Sequence, residues 1–249
     1  MDAEINMFLP IGDTPNPLNF KPVVNWVLIA MNVGVFILVT MPMMSVGVDP
    51  GDPLLEHYVR SMLPRSFWGS PQQLVGQLSA YDLFVFDHGY RPAQPELADL
   101  VTSMFLHGSF GHLVGNMLFL WIYGDNVEHH LGRVRYALTY LGTGVAATLT
   151  FHAFAAGSPV PMVGASGAIS GILGLYFVLF PHNRVKVFVM LFPFIMRVLL
   201  IPARWVLGFY LVWDNLLPVL IGAQSSTAYG AHIGGFLAGA GLTYWWERR

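Results

Sequence analysis

Residues 162–171 read MVGASGAISG and place one small nucleophile, Ser166, among glycines. The stretch opens an apolar segment that continues to Phe180. A Gly-x-Ser-Gly match is a weak signal alone, because small residues also gather where helices pack closely. It gains weight here because two other apolar segments carry histidines. The stretch therefore predicts a serine nucleophile at the start of an apolar helix.

The composition indicates a membrane protein. The chain has 249 residues, of which 55% are hydrophobic and 10% charged, and its mean hydropathy is +0.56. Soluble domains carry about 25% charged residues. A net charge of −2 offers no basic surface for nucleic acid. The absence of cysteine excludes disulfides, thiolate nucleophiles and cysteine metal sites.

Six apolar stretches are long enough to span a bilayer. A hydrocarbon core about 30 Å thick needs about 20 residues of helix. The sequence therefore predicts an all-α, polytopic bundle of six transmembrane helices within residues 23–246. The spans are 23–44, 101–122, 136–156, 164–181, 204–222 and 229–246.

Two connecting stretches are apolar without being long enough or continuous enough to span. The first loop, about 45–98, is rich in proline and has apolar patches at 66–69 and 83–86, which we expect to lie at the membrane surface. Residues 185–202 are interrupted by lysine, arginine and proline. A re-entrant or interfacial connection therefore fits them better than a seventh span.

The distribution of positive charge predicts the orientation. With six spans, both ends lie on one side, and cytoplasmic loops are enriched in Lys and Arg. That side holds nine of the twelve Lys and Arg residues, the exceptions being Arg60, Arg65 and Arg91. We therefore expect residues 1–22 to be a cytoplasmic tail, since their acidic start is unlike a secretory signal. We also expect residues 247–249 to form the cytoplasmic C-terminal end.

This orientation brings polar residues from three spans to a similar depth. Spans two, four and six all enter from the outer side, and each carries its polar residues near that entrance. The charge count used none of these residues, which are His107, His112, Asn116, Ser166 and His232. The sequence therefore predicts a polar site in the outer part of the bilayer.

Ser166 and His232 are the candidate nucleophile and base, because a serine hydroxyl needs a hydrogen-bonded base to take its proton. Small residues at helical spacing would let spans four and six pack closely. They are Gly164, Gly167, Gly171 and Gly174 on span four, and Ala231, Gly235 and Gly239 on span six. The alternative is that these glycines serve helix packing alone.

His112 and Asn116 are four residues apart and share one helix face. Both can donate hydrogen bonds to an oxyanion, and the backbone N–H of Ser166 near a helix N-terminus adds a third donor. The alternative is that they form only interhelical hydrogen bonds. We assign His107 a supporting hydrogen-bonding role.

Two further possibilities concern a metal and an acid. His107, His112 and His232 could hold zinc, but spans two and six offer no nearby carboxylate, so we expect no metal and no cofactor. Asp214 lies inside span five. It could tune His232, line a water-filled cavity, or bond to the Asn215 region, and the sequence does not choose among these.

At these motifs the chain resembles the rhomboid family of intramembrane serine proteases, of the compact six-helix kind common in bacteria. The resemblance covers nearly all of residues 20–246. Its segments are TSMFLH at 102–107 with His112 and Asn116, GDNVE at 124–128 with Gly132, GASG at 164–167 and AHIGG at 231–235.

The resemblance implies a Ser166–His232 dyad without a third acid, in a cavity open to the outer side of a bacterial inner membrane. It also implies an oxyanion site from His112, Asn116 and the Ser166 backbone, a membrane-lying first loop and span five as a lateral gate. Two positions depart from the family pattern. Ala98-Asp99 stands where many members have Trp-Arg, and Ser170 stands where some have a tyrosine that supports the histidine.

The function expected from the sequence is intramembrane serine endopeptidase activity on single-pass transmembrane substrates in the lipid bilayer. The alternative is a catalytically silent relative that binds or escorts membrane proteins. A small transporter with the same residues lining a path is a third possibility, although we find no inverted repeats to favour it. The sequence predicts no nucleic-acid partner and does not indicate the oligomeric state.

Overall fold

The structure is a computed structural model that describes residues 6–62, 75–191, 195–222 and 228–246. The chain is mostly helical, and helices lie in each of the six stretches predicted to span a membrane. The helices are α1 Val23–Val35, α2 Met41–Met44, α3 Pro53–Met62, α4 Ala80–His88, α5 Asp99–Thr102, α6 Phe110–Leu131, α7 Arg133–Phe154, α8 Ser166–Leu179, α9 Ala203–Leu211, α10 Leu217–Leu220 and α11 Tyr229–Trp246.

Two of these helical stretches contain π-helical segments. Phe36–Thr40 joins α1 to α2, so that Val23–Met44 is a continuous helical stretch of 22 residues with a hydropathy of 2.2. Val212–Leu216 joins α9 to α10. By length and composition, Val23–Met44 is the stretch in the described ranges that could cross a membrane unaided, whereas α8 is apolar but shorter.

The helix of the second predicted span, α6, is displaced along the sequence from its predicted position. Span two was expected at 101–122, whereas α6 begins at Phe110 and ends at Leu131. Its start is set by Ser109, whose hydroxyl accepts a hydrogen bond from the backbone N–H of His112. Residues 101–105 instead belong to α5 and a short 3₁₀ turn. The prediction was wrong because hydropathy continues across this break, which only the capping residue marks.

The core of the bundle is formed around α8, which buries nine of its residues and packs against α6, α7 and α11. The closest approach is between α8 and α11. A Cβ on Gly235 or Gly239 would lie 2.1 or 2.0 Å from the backbone oxygen of Gly167 or Gly171, respectively. The close packing expected from the glycine spacing is therefore present.

The fold is not all-α, because a three-stranded antiparallel sheet stands beside the helices. Its strands are β1 Asn6–Thr14, β2 Arg184–Leu191 and β3 Ile195–Pro202, in the order β1-β2-β3. The expected tail at 1–22 thus contributes a strand, and the connection at 185–202 is a β-hairpin. The missed signal is the alternation in β2, where Val185, Val187 and Val189 are buried.

The first loop folds onto the bundle rather than standing apart from it. It contains α3 and α4, and Leu83 and Phe86 of the predicted surface patch are buried within the protein. Backbone hydrogen bonds join Tyr90 to Met162 in both directions, which ties the loop to the segment before α8. The second predicted patch, 66–69, and the C-terminal end 247–249 lie outside the described residues.

Candidate active site

The predicted nucleophile and base are in hydrogen-bonding contact. Ser166 is the first residue of α8, and His232 lies in the first turn of α11. The Nε2 atom of His232 is 2.8 Å from the Oγ atom of Ser166. The glycine-mediated packing of α8 against α11 brings the two side chains together, and the distance is suitable for proton transfer from serine to histidine.

The second ring nitrogen of His232 also has a hydrogen-bond partner. Its Nδ1 atom is 2.7 Å from the Oδ1 atom of Asn215, which lies in the π-helical segment Val212–Leu216. The ring of Tyr210 lies 6.4 Å from the ring of His232, with 30° between the planes. The hydroxyl of Tyr210 is 2.8 Å from that of Ser170. A tyrosine from α9 thus stands beside the histidine, where the sequence had drawn attention to the missing tyrosine at 170.

Asn215 is the residue of this site that sequence reasoning missed. We had singled out its neighbour Asp214 as a possible partner of His232, but Asp214 is exposed and Asn215 is completely buried. A polar residue inside an apolar span is a functional signal, and both residues carry it. The π-helical segment decides which of them faces inward, and that segment is not visible as a hydropathy pattern.

The side chains predicted to bind an oxyanion, His112 and Asn116, line the same pocket as His232. Asn116 is buried, and its Nδ2 atom donates to the Nε2 atom of His107 at 2.9 Å. An amide has two N–H groups, so this bond leaves the second available for another acceptor. The ring of His112 packs against Gly164 so closely that a Cβ there would lie 2.7 Å from its Cε1 atom.

His107 lies in the loop before α6 and not on the helix itself. It is fully buried, and its backbone exchanges hydrogen bonds with the hydroxyl of Tyr81 in the first loop. Its ring is 5.1 Å from that of His112. His107 therefore connects the first loop to Asn116, a geometry that agrees with the supporting role expected for it.

Gly164 shapes the backbone immediately before the nucleophile. Its φ angle is +123°, a value that side chains rarely allow, and its N–H donates to the carbonyl of Ser103 at 2.8 Å. The resulting turn ends at Ala165, and α8 starts at Ser166. The backbone N–H of Ser166 therefore belongs to the first turn of a helix, where N–H groups have no intrahelical acceptor.

These residues surround a cavity of about 910 Å³. Its lining includes Ser166, His232, His112, Asn116, Gly164 and Gly167, and apolar side chains form much of the rest. Gly235 lies behind this wall, against Gly167. The arrangement can activate a serine hydroxyl and offer hydrogen-bond donors to a charged oxygen.

The three histidines of these spans raise the possibility of a metal centre. Within the described ranges, no group of three His, Cys, Asp or Glu side chains is arranged to hold a metal ion. Both ring nitrogens of His232 are already engaged, one with Ser166 and the other with Asn215.

The comparisons with known proteins identify the family. A family model described as the rhomboid domain matches residues 94–248. Rhomboid protease GluP of Bacillus subtilis is 36% identical over 150 residues, which cover 60% of this chain and 27% of that protein. Rhomboid protein 1, mitochondrial, of Saccharomyces cerevisiae is 33% identical over 151 residues, which cover 59% of this chain and 40% of that protein.

A third relative, like the yeast protein, has a name that does not mention protease activity. The presenilin-associated rhomboid-like protein, mitochondrial, of Bos taurus is 32% identical over 98 residues, which cover 38% of this chain and 26% of that protein. The chain thus matches well under half the length of each of these relatives. Because the family model matches more than half of the chain and includes Ser166, His232 and the residues around them, the chain belongs to the rhomboid family.

Proposed function

We propose that the protein is an intramembrane serine endopeptidase that uses Ser166 as nucleophile and His232 as general base. Its family acts on membrane-protein substrates within the bilayer and includes named proteases. The observation that carries the proposal is the 2.8 Å contact between Ser166 Oγ and His232 Nε2, at the edge of the 910 Å³ cavity. A serine hydroxyl so placed is activated by transfer of its proton to the imidazole.

The reaction follows from this geometry. Ser166 Oγ attacks the carbonyl carbon of the scissile peptide bond while its proton passes to His232 Nε2. The tetrahedral intermediate collapses, and the imidazolium of His232 gives that proton to the leaving amine. Water then attacks the acyl-enzyme, with His232 again as the base, and releases the carboxylate product and the free serine.

The negative oxygen of the intermediate needs donors that are already in place. The free N–H of Asn116, the ring of His112 and the backbone N–H of Ser166 are the groups that we assign to it. Losing one such donor typically lowers kcat by about 10²–10³-fold. The burial of Asn116 and its bond to His107 support this role, because an amide held by a neighbour needs no reorganisation during the reaction.

The substrate and the membrane arrangement belong to the same proposal. We propose six transmembrane segments within residues 23–246, with both ends cytoplasmic, in the inner membrane of a bacterial cell. The site would open to the outer side and accept single-pass helices that carry small residues at the cut. In this arrangement residues 1–22 and 247–249 are cytoplasmic, and the loop at 45–98 lies along the outer membrane surface.

The alternative is a rhomboid-like protein that binds or escorts membrane proteins without cutting them. Its support is that the yeast and bovine relatives have names that state no protease activity. The Ser166–His232 contact favours the protease, since a silent relative has no need of a hydroxyl hydrogen-bonded to a base.

Cleavage of a single-pass substrate by the purified protein in lipid tests the proposal. The substrate should carry helix-weakening residues, because a peptide bond within a helix is shielded until the helix unwinds. We expect cleavage by the wild type, unchanged by a chelator, and none by Ser166→Ala. Cleavage that survives in Ser166→Ala but stops with chelator would contradict the serine mechanism. Substrate capture without cleavage by both proteins would support the escort function.

A further inference from the structure

Both ring nitrogens of His232 have partners from other helices, and the two partners make different demands. Ser166 Oγ must donate its proton to Nε2 for the reaction to begin, so Nε2 must be unprotonated in the free enzyme. A neutral imidazole then carries its proton on Nδ1. That proton needs an acceptor, and Asn215 Oδ1 lies 2.7 Å away.

The hydrogen bonds of Asn215 decide which end of its amide faces the histidine. Its Nδ2 atom donates to the backbone oxygen of Tyr210 at 2.8 Å, and an Oδ1 atom in the same place could not donate this bond. The opposite end of the amide, Oδ1, is therefore the one that meets Nδ1. Because Oδ1 can only accept, the proton between the two residues belongs to His232.

The local backbone explains how an asparagine from this helix reaches the site. Asn215 lies in the π-helical segment Val212–Leu216, where the extra residue per turn shifts the direction of the side chains. Val212, Trp213 and Asp214 are exposed, whereas Asn215 is completely buried. Single π-helical turns are frequent at functional sites, and here the turn places one buried amide against the base.

We infer that Asn215 is a positioning residue that fixes the tautomer and orientation of His232, so that the site works as a Ser166–His232–Asn215 triad. The inference rests on the proposed function, and it replaces the dyad without a third residue that the resemblance implied. During the reaction the proton on His232 Nδ1 remains there and stays hydrogen-bonded to Asn215 Oδ1. Meanwhile Nε2 accepts the serine proton and later gives it up. The neutral amide accepts no proton itself and thereby resembles the asparagine of Cys-His-Asn proteases.

The tautomer can be measured without any substrate. We would label the histidines of the full-length protein with ¹⁵N, record their NMR spectra in lipid at neutral pH, and identify His232 by the signal lost in His232→Ala. We expect neutral His232 with its proton on Nδ1. A wild-type spectrum with the proton on Nε2, or with an even mixture of the two forms, would overturn the inference even if the enzyme cleaves its substrate.

Two substitutions test the hydrogen-bond acceptor of Asn215 separately from its donor. Asn215→Leu removes both the acceptor for His232 and the donor to Tyr210, whereas Asn215→Asp keeps an acceptor and loses the same donor. We expect Asn215→Leu to lower kcat about 10–100-fold with little change in KM, below the ~10²–10⁴-fold contribution of a whole general base. Asn215→Asp should retain much more of the activity. The matched control is Asp214→Asn in the same segment, which should leave kcat unchanged.

The outcomes distinguish this inference from the proposed function. If Asn215→Asp is impaired as severely as Asn215→Leu, the amide acts through its bond to Tyr210 and the positioning role is wrong. Equal kcat in Asn215→Leu and wild type would also contradict it, while leaving the Ser166 mechanism intact. If Asn215→Leu does not fold, the wild-type spectrum still decides. Cleavage by Ser166→Ala would instead overturn the proposed function.

Discussion

At the scale of single residues, Gly164 is the position with the least freedom in the site. Its φ of +123° excludes most side chains, and His112 occupies the space where a Cβ would point. The sequence marked Gly164 as a supporting residue from its place two positions before Ser166. It could not show that the space beside Gly164 is taken by His112, because that contact joins residues 52 positions apart.

We predict that Gly164→Ala lowers kcat by about 10²-fold, the effect of losing one oxyanion donor. The new Cβ would lie 2.7 Å from His112 Cε1, so the ring must move away from the cavity. Initial rates of substrate cleavage would measure the change.

The matched control is Gly157→Ala, which also has a positive φ, +80°, but no atom within 4 Å of the new Cβ. This variant should lose roughly 1 kcal/mol of stability through backbone strain and keep its kcat. Equal kcat in Gly164→Ala and wild type would show that the position of His112 does not matter to catalysis.

The same scale shows what sequence reasoning can reach in a site. The sequence predicted that Ser166, His232, His112 and Asn116 lie near one another, because polar residues in apolar spans are costly and therefore informative. The structure places all four along one cavity. The sequence could not show which of Asp214 and Asn215 faces His232, since both are polar residues in the same apolar span. Only the π-helical turn distinguishes the two positions. That turn depends on packing within the folded bundle.

At the scale of the elements, the contact between α8 and α11 holds the side chains of Ser166 and His232 together. Gly235 and Gly239 of α11 lie against the backbone oxygens of Gly167 and Gly171 of α8. Small residues at a spacing of four predicted this contact, because that spacing keeps them on one helix face. The sheet and the displaced start of α6 were not predicted, since hydropathy masked the strand alternation and the Ser109 cap.

We predict that Gly239→Ala destabilises the protein by about 1–3 kcal/mol, the usual cost of overpacking. Its Cβ would lie 2.0 Å from the backbone oxygen of Gly171, which cannot turn aside as a flexible side chain would. Thermal unfolding of the purified protein in detergent would measure the loss.

Gly241→Ala on the same helix is the control, because no atom lies within 4 Å of its Cβ. This variant should be neutral or more stable by about 1 kcal/mol, as Ala favours helix more than Gly. Similar unfolding temperatures for Gly239→Ala and Gly241→Ala would contradict the close packing of α8 and α11.

At the scale of the whole molecule, the sheet joins the N-terminal strand β1 to the strands β2 and β3, which lie between α8 and α9 in the sequence. Asp13 in β1 accepts hydrogen bonds from Tyr176 in α8 and Asn126 in α6. The distribution of Lys and Arg predicts that residues 1–22 and 182–203 lie on the same side of the membrane. In the structure these two segments are in contact, because β1 pairs with β2 along eight register positions. The two loops predicted to lie on the other side also meet, through backbone hydrogen bonds between Tyr90 and Met162.

Asp13 should make the stability of the protein depend on pH. Burial raises its pKa to about 6 from 3.8, the neighbouring Asp125 adds to the rise, and the bond from Tyr176 opposes it. The folded state therefore binds this proton more tightly than the unfolded state does. The contribution of Asp13 to stability is greatest below pH 4 and is lost as pH rises through about 6, by roughly 2–3 kcal/mol at most.

Asp13→Asn tests this prediction, because the amide cannot ionise. Unfolding temperatures between pH 4 and pH 7 should fall with pH in the wild type and fall less in Asp13→Asn. Equal slopes for the two proteins would show that Asp13 is not the group responsible.

The central claim is that Ser166 is a nucleophile activated by His232, and covalent capture tests it most directly. The purified protein in lipid would be treated with a fluorophosphonate, which reacts with activated serines, and the modified residue located by peptide mass spectrometry. We predict one adduct, on Ser166, that is absent in His232→Ala and formed at the wild-type rate in Asp214→Asn. An adduct on another residue, or an unmodified Ser166 in a preparation that cleaves substrate, would contradict the account.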